Sequence, residues 1–252
     1  MNDGRFVADV IGDYMISASL GTSSASRPLK VVGRGVEREV LKVGKGVVSD
    51  KHTSDFWVFE GVDGRDYAVT GTWGADGTSF FWDVTDPANI KKIDSVKVDA
   101  RTVNDVKVSQ DGRISVIGRE GASDRKNGII ILDVSNPYDV KILSEYTKNL
   151  TGGVHNVFID NDHVYALSGS QRYFVINIED PKNPVEVGMF EVGKEGQSIH
   201  DVWIEDGIAY SSNWRDGVYL VDVGNGIADG SPSNPVAFAN YDYATGAHHA
   251  TF

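Results

Sequence analysis

The chain has 252 residues, 40% of them hydrophobic and 24% charged, with a formal net charge of −12. Its acidic residues are scattered and no Lys/Arg stripe offsets them, so the surface repels phosphate backbones and argues against nucleic acid as a partner. With no cysteine there is no disulfide, thiolate metal site or cysteine nucleophile, and no run of eighteen apolar residues is present to span a bilayer.

The first stretch, MNDGRFVADVIGDYM, lacks the basic start and apolar core of a signal peptide. Residues 5–48 then contain three strand-like runs, DYMISASLG (13–21), PLKVVGR (28–34) and REVLKVGKG (38–46), with the Ser-rich TSSASR (22–27) between the first two reading as a loop. From residue 53 a phrase begins that returns four times: TSDFWVFEGVDGRDYAVTG (53–71), VNDVKVSQDGRISVIG (103–118), VHNVFIDNDHVYALSG (154–169), QSIHDVWIEDGIAYSSNW (197–214) and AHHATF (247–252). Its second polar residue marks the register at Asp55, Asp105, Asn156, Asp201 and His249, at intervals of 50, 51, 45 and 48. A second phrase keeps step with the first: FFWDVTDPANI (80–90), IIILDVSNPYDV (129–140), YFVINIEDPKNPVEV (173–187) and VYLVDVGNG (218–226), marked by Asp83, Asp133, Asn177 and Asp222. Two series in phase define a repeat.

Each unit reads as four short strands, because runs of β-branched and aromatic residues are bounded by Asp, Asn, Gly and Pro. No sustained 3.6-residue pattern with caps predicts helix. Four strands per 45–51 residues is the size of a propeller blade. The expected fold is therefore an all-β propeller in one domain, with blades over 53–100, 103–150, 153–196 and 198–245. Residues 5–48 form a degenerate fifth blade, and 247–252 start a sixth. An unfinished blade leaves strand edges unpaired, so the chain is expected to be part of a longer propeller.

In a propeller the first strand of each blade lines the central channel, and its entrance residues converge on one ring. Ser54, Asn104, His155, His200 and His248 precede the markers there. The Asp/Asn series reads as struts between neighbouring blades, since a structural role recurs in every unit. His155, His200, His248 and His249 occur in consecutive units only, and either share that strut role or hold a copper or zinc ion, with Asp201 orienting His200. Asp201, Asn213, Trp214 and Trp73 are the candidate ligand-binding residues, the two Trp lying just after second strands. Trp57, Trp82 and Trp203 are expected to pack between blades, and His163 to be exposed in a turn. GNGIADGSPSNP (224–235) is rich in oxygen ligands but lacks the spacing of a calcium loop.

ILDVSNPYDV (131–140), FWDVTDPANI (81–90), VINIEDPKNPVEVG (175–188) and VYLVDVGNG (218–226) resemble the LVIVD-repeat family of β-propellers over roughly residues 53–252. That resemblance implies an exported protein, extracellular, periplasmic or attached to the cell surface. Its expected role is that of a monomeric binding or scaffold module for a protein or glycan on the loop face. IHDVWIEDGIAYSSNWRDGVYLVDV (199–223) is similar to one blade of the selenium-binding protein family, confined to His200, Asp201, Asn213 and Trp214. It implies the alternative, a copper- or zinc-type propeller enzyme or metal-binding protein using channel histidines. The chain departs from that family in having no cysteine.

Overall fold

A computed structural model describes residues 10–33, 35, 39–48, 51–74, 77–193 and 198–241, Arg215 by its backbone alone. The chain divides into two compact units, residues 1–42 and 43–252. In the first, β1 (Gly12–Leu20) and β2 (Ser23–Val31) form an antiparallel hairpin around Gly21, whose φ is +60°. The Ser-rich stretch expected to be a loop is thus mostly strand. Gly21 and Thr22 make the turn, and the serines pair across it, Ser17 Oγ lying 2.7 Å from Ser26 Oγ. The third expected strand, at 38–46, is absent among the described residues 39–48.

The second unit holds four four-stranded antiparallel sheets, each built from strands consecutive in the chain. The first sheet comprises β3 (His52–Glu60), β4 (Asp66–Trp73), β5 (Thr78–Asp83) and β6 (Lys91–Lys97); the second, β7 (Val106–Val108), β8 (Ile114–Arg119), β9 (Gly128–Asp133) and β10 (Lys141–Tyr146). The third comprises β11 (Val154–Asp160), β12 (His163–Ser168), β13 (Arg172–Asn177) and β14 (Val185–Phe190); the fourth, β15 (Asp201–Glu205), β16 (Ile208–Ser212), β17 (Val218–Asp222) and β18 (Val236–Tyr241). The single helical piece among the described residues is a 3-10 turn, Trp214–Asp216. Each of the four expected repeat units 53–245 therefore contains one sheet.

Local chemistry explains why the two phrases recur. The first phrase folds about a tight turn; in the fourth unit Asp206 and Gly207 both have positive φ, +50° and +73°, which is the twist that a two-residue hairpin requires. Any side chain at 207 would meet the Asn225 backbone nitrogen at 2.5 Å. The second phrase is a pair of side-chain-closed turns. Asp83, Asp133 and Asn177 accept the amides of Thr85, Ser135 and Glu179 at 3.1, 2.9 and 3.1 Å. Asp86, Asn136 and Asp180 then accept those of Ala88, Tyr138 and Lys182 at 3.0, 3.2 and 3.1 Å. Asp and Asn recur because their short side chains can close such turns on their own backbone.

The core lies between sheets. One cluster joins Phe59, Tyr67, Val69 and Phe81 of the first sheet to Val106, Val108, Ile117 and Leu132 of the second. A second joins Val116, Ile129 and Ile131 to Val157, Ile159 and Ile176. A third joins Tyr165, Tyr173 and Val175 to Val202, Ile204 and Val221. These residues are nearly all fully buried, so hydrophobic burial at the junctions is what holds each sheet to the next.

Candidate functional site

The inner strands β3, β7, β11 and β15 bring the four described markers to one place. Asp55, Asp105, Asn156 and Asp201 all line a single cavity of about 350 Å³. Side chains alternate along a strand, so the residues two positions on, Trp57, Lys107, Phe158 and Trp203, face the same cavity. Three of them form its aromatic wall: Trp57 lies 6.0 Å from Trp203 and 6.2 Å, edge-on, from Phe158, and Phe158 lies 4.9 Å from Trp203. Trp57 and Trp203 were expected between blades; they face the cavity because they share the markers' strand parity. Trp82 is buried, but it is in none of the clusters that join neighbouring sheets; its indole N–H donates to Thr70 Oγ1 of the same sheet at 3.0 Å.

The entrance residues are also the struts between sheets. Ser54 Oγ donates to Val103 O at 2.6 Å and Asn104 Nδ2 to His155 O at 2.9 Å. The Val157 amide donates to Asp105 Oδ2 at 2.7 Å, and Asn156 Nδ2 to Asp201 Oδ1 at 2.9 Å. Each bond crosses one sheet junction, satisfying polar groups that burial would otherwise penalise.

Charge is concentrated on one side of the cavity. Lys107 Nζ donates to Asp55 Oδ2 at 3.0 Å and to Asp105 Oδ1, and sits 5.1 Å from the Trp57 ring centre. Burial pushes the Asp105 carboxyl well above the usual carboxylate range, although Lys107 opposes it. Burial also acts to raise Asp55, but hydrogen bonding with Asp105 and attraction to Lys107 outweigh it and hold Asp55 below its ordinary value. The ammonium is raised: burial would lower it, and the two carboxylates more than compensate.

The histidines form a separate string at the rim. Glu120 Oε1 lies 2.7 Å from His155 Nδ1. The His155 and His200 rings are 5.1 Å apart and edge-on, and His200 meets the edge of Trp214 at 4.8 Å. His200 lines the cavity and His155 does not. Trp214 opens the 3-10 turn with φ of +41°, a conformation rare for a bulky residue. Asn213 is fully buried and accepts the Ser211 hydroxyl at 2.9 Å, so its side chain is engaged with β16 and makes no cap to the turn. Trp73 ends β4, 53% exposed and away from the cavity. His248 and His249 lie outside the described residues. Among the described residues no three His, Asp or Glu side chains are grouped to hold a metal ion.

One other expectation changes. His163 is the half-buried first residue of β12 and not an exposed turn residue; burial pushes its imidazole below the ordinary value. The oxygen-rich stretch after β17 closes around Asp222. One carboxylate oxygen accepts the amides of Gly224, Asn225 and Gly226 at 2.9, 2.8 and 3.2 Å, and the other those of Ala228 and Gly230 at 2.7 and 3.1 Å. The ring of backbone donors points at a side chain of the protein itself.

Lys107, Phe158 and Glu120 are the site residues that the sequence reading missed. Strand parity was sufficient to find the first two, each two places after a marker. Glu120 has no such signal, because it acts on His155 in one unit only. No protein-family model matches the chain, and no curated protein matches it. No helix among the described residues is long and apolar enough to cross a membrane.

Proposed function

We propose that the chain is an exported, LVIVD-type β-propeller acting as a binding module, whose central cavity takes a hydroxyl-rich ring such as one saccharide unit of a glycan. The observation that carries this reading is the composition of the cavity. Indole and phenyl rings from Trp57, Phe158 and Trp203 line it together with carboxylate and carboxamide groups from Asp55, Asn104, Asn156 and Asp201. Mostly apolar concave sites with a few placed polar groups are what small ligands occupy. Aromatic faces cover the C–H side of a sugar ring while the polar groups meet its hydroxyls. Binding is favoured over catalysis because the carboxylates are already engaged: Asp105 holds Lys107 and two amides, and Asp201 holds Asn156 and the Val202 amide. The test is tryptophan fluorescence and calorimetry of the full chain against neutral and acidic oligosaccharides. Binding that disappears in Trp203→Ala with the fold retained supports the reading. The absence of any response across the panel overturns it.

One observation favours a second reading, a copper- or zinc-binding protein. Glu120 on His155 Nδ1 leaves the opposite ring nitrogen to act as a ligand beside His200, the arrangement by which a carboxylate orients a metal-binding imidazole. Metal analysis of untagged protein separates the two readings: stoichiometric metal lost in His200→Ala supports the second.

A further inference from the structure

On the saccharide reading of the cavity, its lining also decides which charge the ring carries. Three carboxylates, Asp55, Asp105 and Asp201, line the cavity with one ammonium, Lys107; among the described residues His200 is the one other titratable group there. Burial makes Asp105 hold its proton more readily than an ordinary carboxyl. With Asp105 neutral, two carboxylates still stand against one ammonium.

A lysine in a cavity is a natural anchor for an anion, but Lys107 is already committed. An ammonium has three N–H donors. Those of Lys107 go to Asp55 Oδ2 at 3.0 Å, to Asp105 Oδ1 and to Val106 O at 3.4 Å. Asp55 and Asp201, when ionised, are acceptors only, so they call for a ligand that donates. The aromatic wall favours the same sign of charge. Ring faces attract cations, and Lys107 Nζ already lies 5.1 Å from the Trp57 ring centre. The chain as a whole, at −12, draws cations and repels anions.

We propose that the cavity selects a saccharide ring bearing an ammonium group, a hexosamine with a free amine. The same ring with a neutral N-acetyl group binds less tightly, and a uronic acid is refused. The ammonium brings three donors and no acceptor, the complement of Asp55 and Asp201, and its charge suits the indole and phenyl rings beside them. A uronate brings another anion to a lining whose one cation is engaged.

The test is calorimetry of the full chain with glucosamine, N-acetylglucosamine and galacturonate oligomers of one length. It is run at about pH 7, where an amine of this kind is mostly charged and an ordinary imidazole mostly neutral. The expected result is a Kd about tenfold lower for the glucosamine oligomer than for the N-acetyl one, with the uronate weakest. That preference shrinks as salt rises from about 0.05 to about 0.5 M. Asp201→Asn keeps an oxygen for Asn156 Nδ2 and the Val202 amide, which both donate to Asp201 Oδ1, and removes one charge. It should cut the preference severalfold. If that variant does not fold, the salt series on wild type decides. An N-acetyl or uronate oligomer that binds as tightly as the amine, or a preference indifferent to salt, overturns the ammonium and leaves the saccharide reading standing. If none of the three oligomers binds, both fall.

Discussion

Asp105 and Asp222 are the same residue type at the two repeating marker positions, and both side chains are buried. Their carboxyls are nevertheless driven in opposite directions. Asp222 is surrounded by five backbone amides that solvate the charge better than water does, so its carboxyl is held far below the usual range. Asp105 has two amides, one ammonium and a second carboxylate as neighbours, and its carboxyl is pushed up. A marker of the repeat therefore sets where a carboxylate stands, and the groups around it set whether it is charged.

The largest effect that tests this contrast is Asp105→Ala. It leaves Lys107 buried with one partner fewer and the Val157 amide without an acceptor across the junction. A cost of about 3–5 kcal/mol is expected, as for breaking a buried ion pair, read from urea denaturation. A loss under about 1 kcal/mol means that the network contributes no more than a surface pair.

Lys107→Met sharpens the comparison through pH. The methionine retains a stem over Trp57 but leaves Asp55 and Asp105 facing each other. Their folded carboxyls rise above the unfolded value, so the stability of the variant is full below that value and is lost as pH rises through the folded one. The variant should gain stability from about pH 7 to about pH 5, where other carboxylates remain ionised. A variant whose stability is flat over that interval would show that the ammonium is not what keeps the two acids together.

The smallest effect is at the other marker. Asp222→Asn replaces an acceptor oxygen with an amide that faces the Ala228 and Gly230 donors or the Gly224, Asn225 and Gly226 set. Its melting temperature should fall further than that of Asp133→Asn, where one amide is at stake. Because the folded carboxyl is depressed, wild type holds this stability above about pH 4 and loses it in acid. The gap between wild type and Asp222→Asn should close below that pH as wild type falls. In Lys107→Met the gap closes because the variant rises. Equal pH profiles for the two variants would break the comparison.

Much of this arrangement is legible in residues alone. The double register of Asp55, Asp105, Asn156 and Asp201 with Asp83, Asp133, Asn177 and Asp222 marks four units of four strands. The same register puts the first set at one cavity, because equivalent positions of equivalent strands occupy equivalent places. The inter-sheet role of Asp105 and Asn156 follows from their recurrence. Trp73 shows the limit: proximity to a loop in the chain did not place it near the cavity, since the end of β4 faces solvent. Segment 22–27 shows another, because a serine-rich composition opposes strand only weakly when a glycine turn aligns the serines across a hairpin.

By itself the sequence determined the β-strand content, the spacing of the units and the chemistry of their turns, all of which depend on side chains within a few residues of their own backbone. Only the tertiary structure decided that Lys107 joins Asp55 from 52 positions away, that Trp57 meets Trp203 across the cavity, and that Glu120 holds His155. Those pairs depend on how successive sheets are turned against one another. That geometry comes from burial at the sheet junctions, a force proportional to area and without direction, and so leaves no local pattern in the chain.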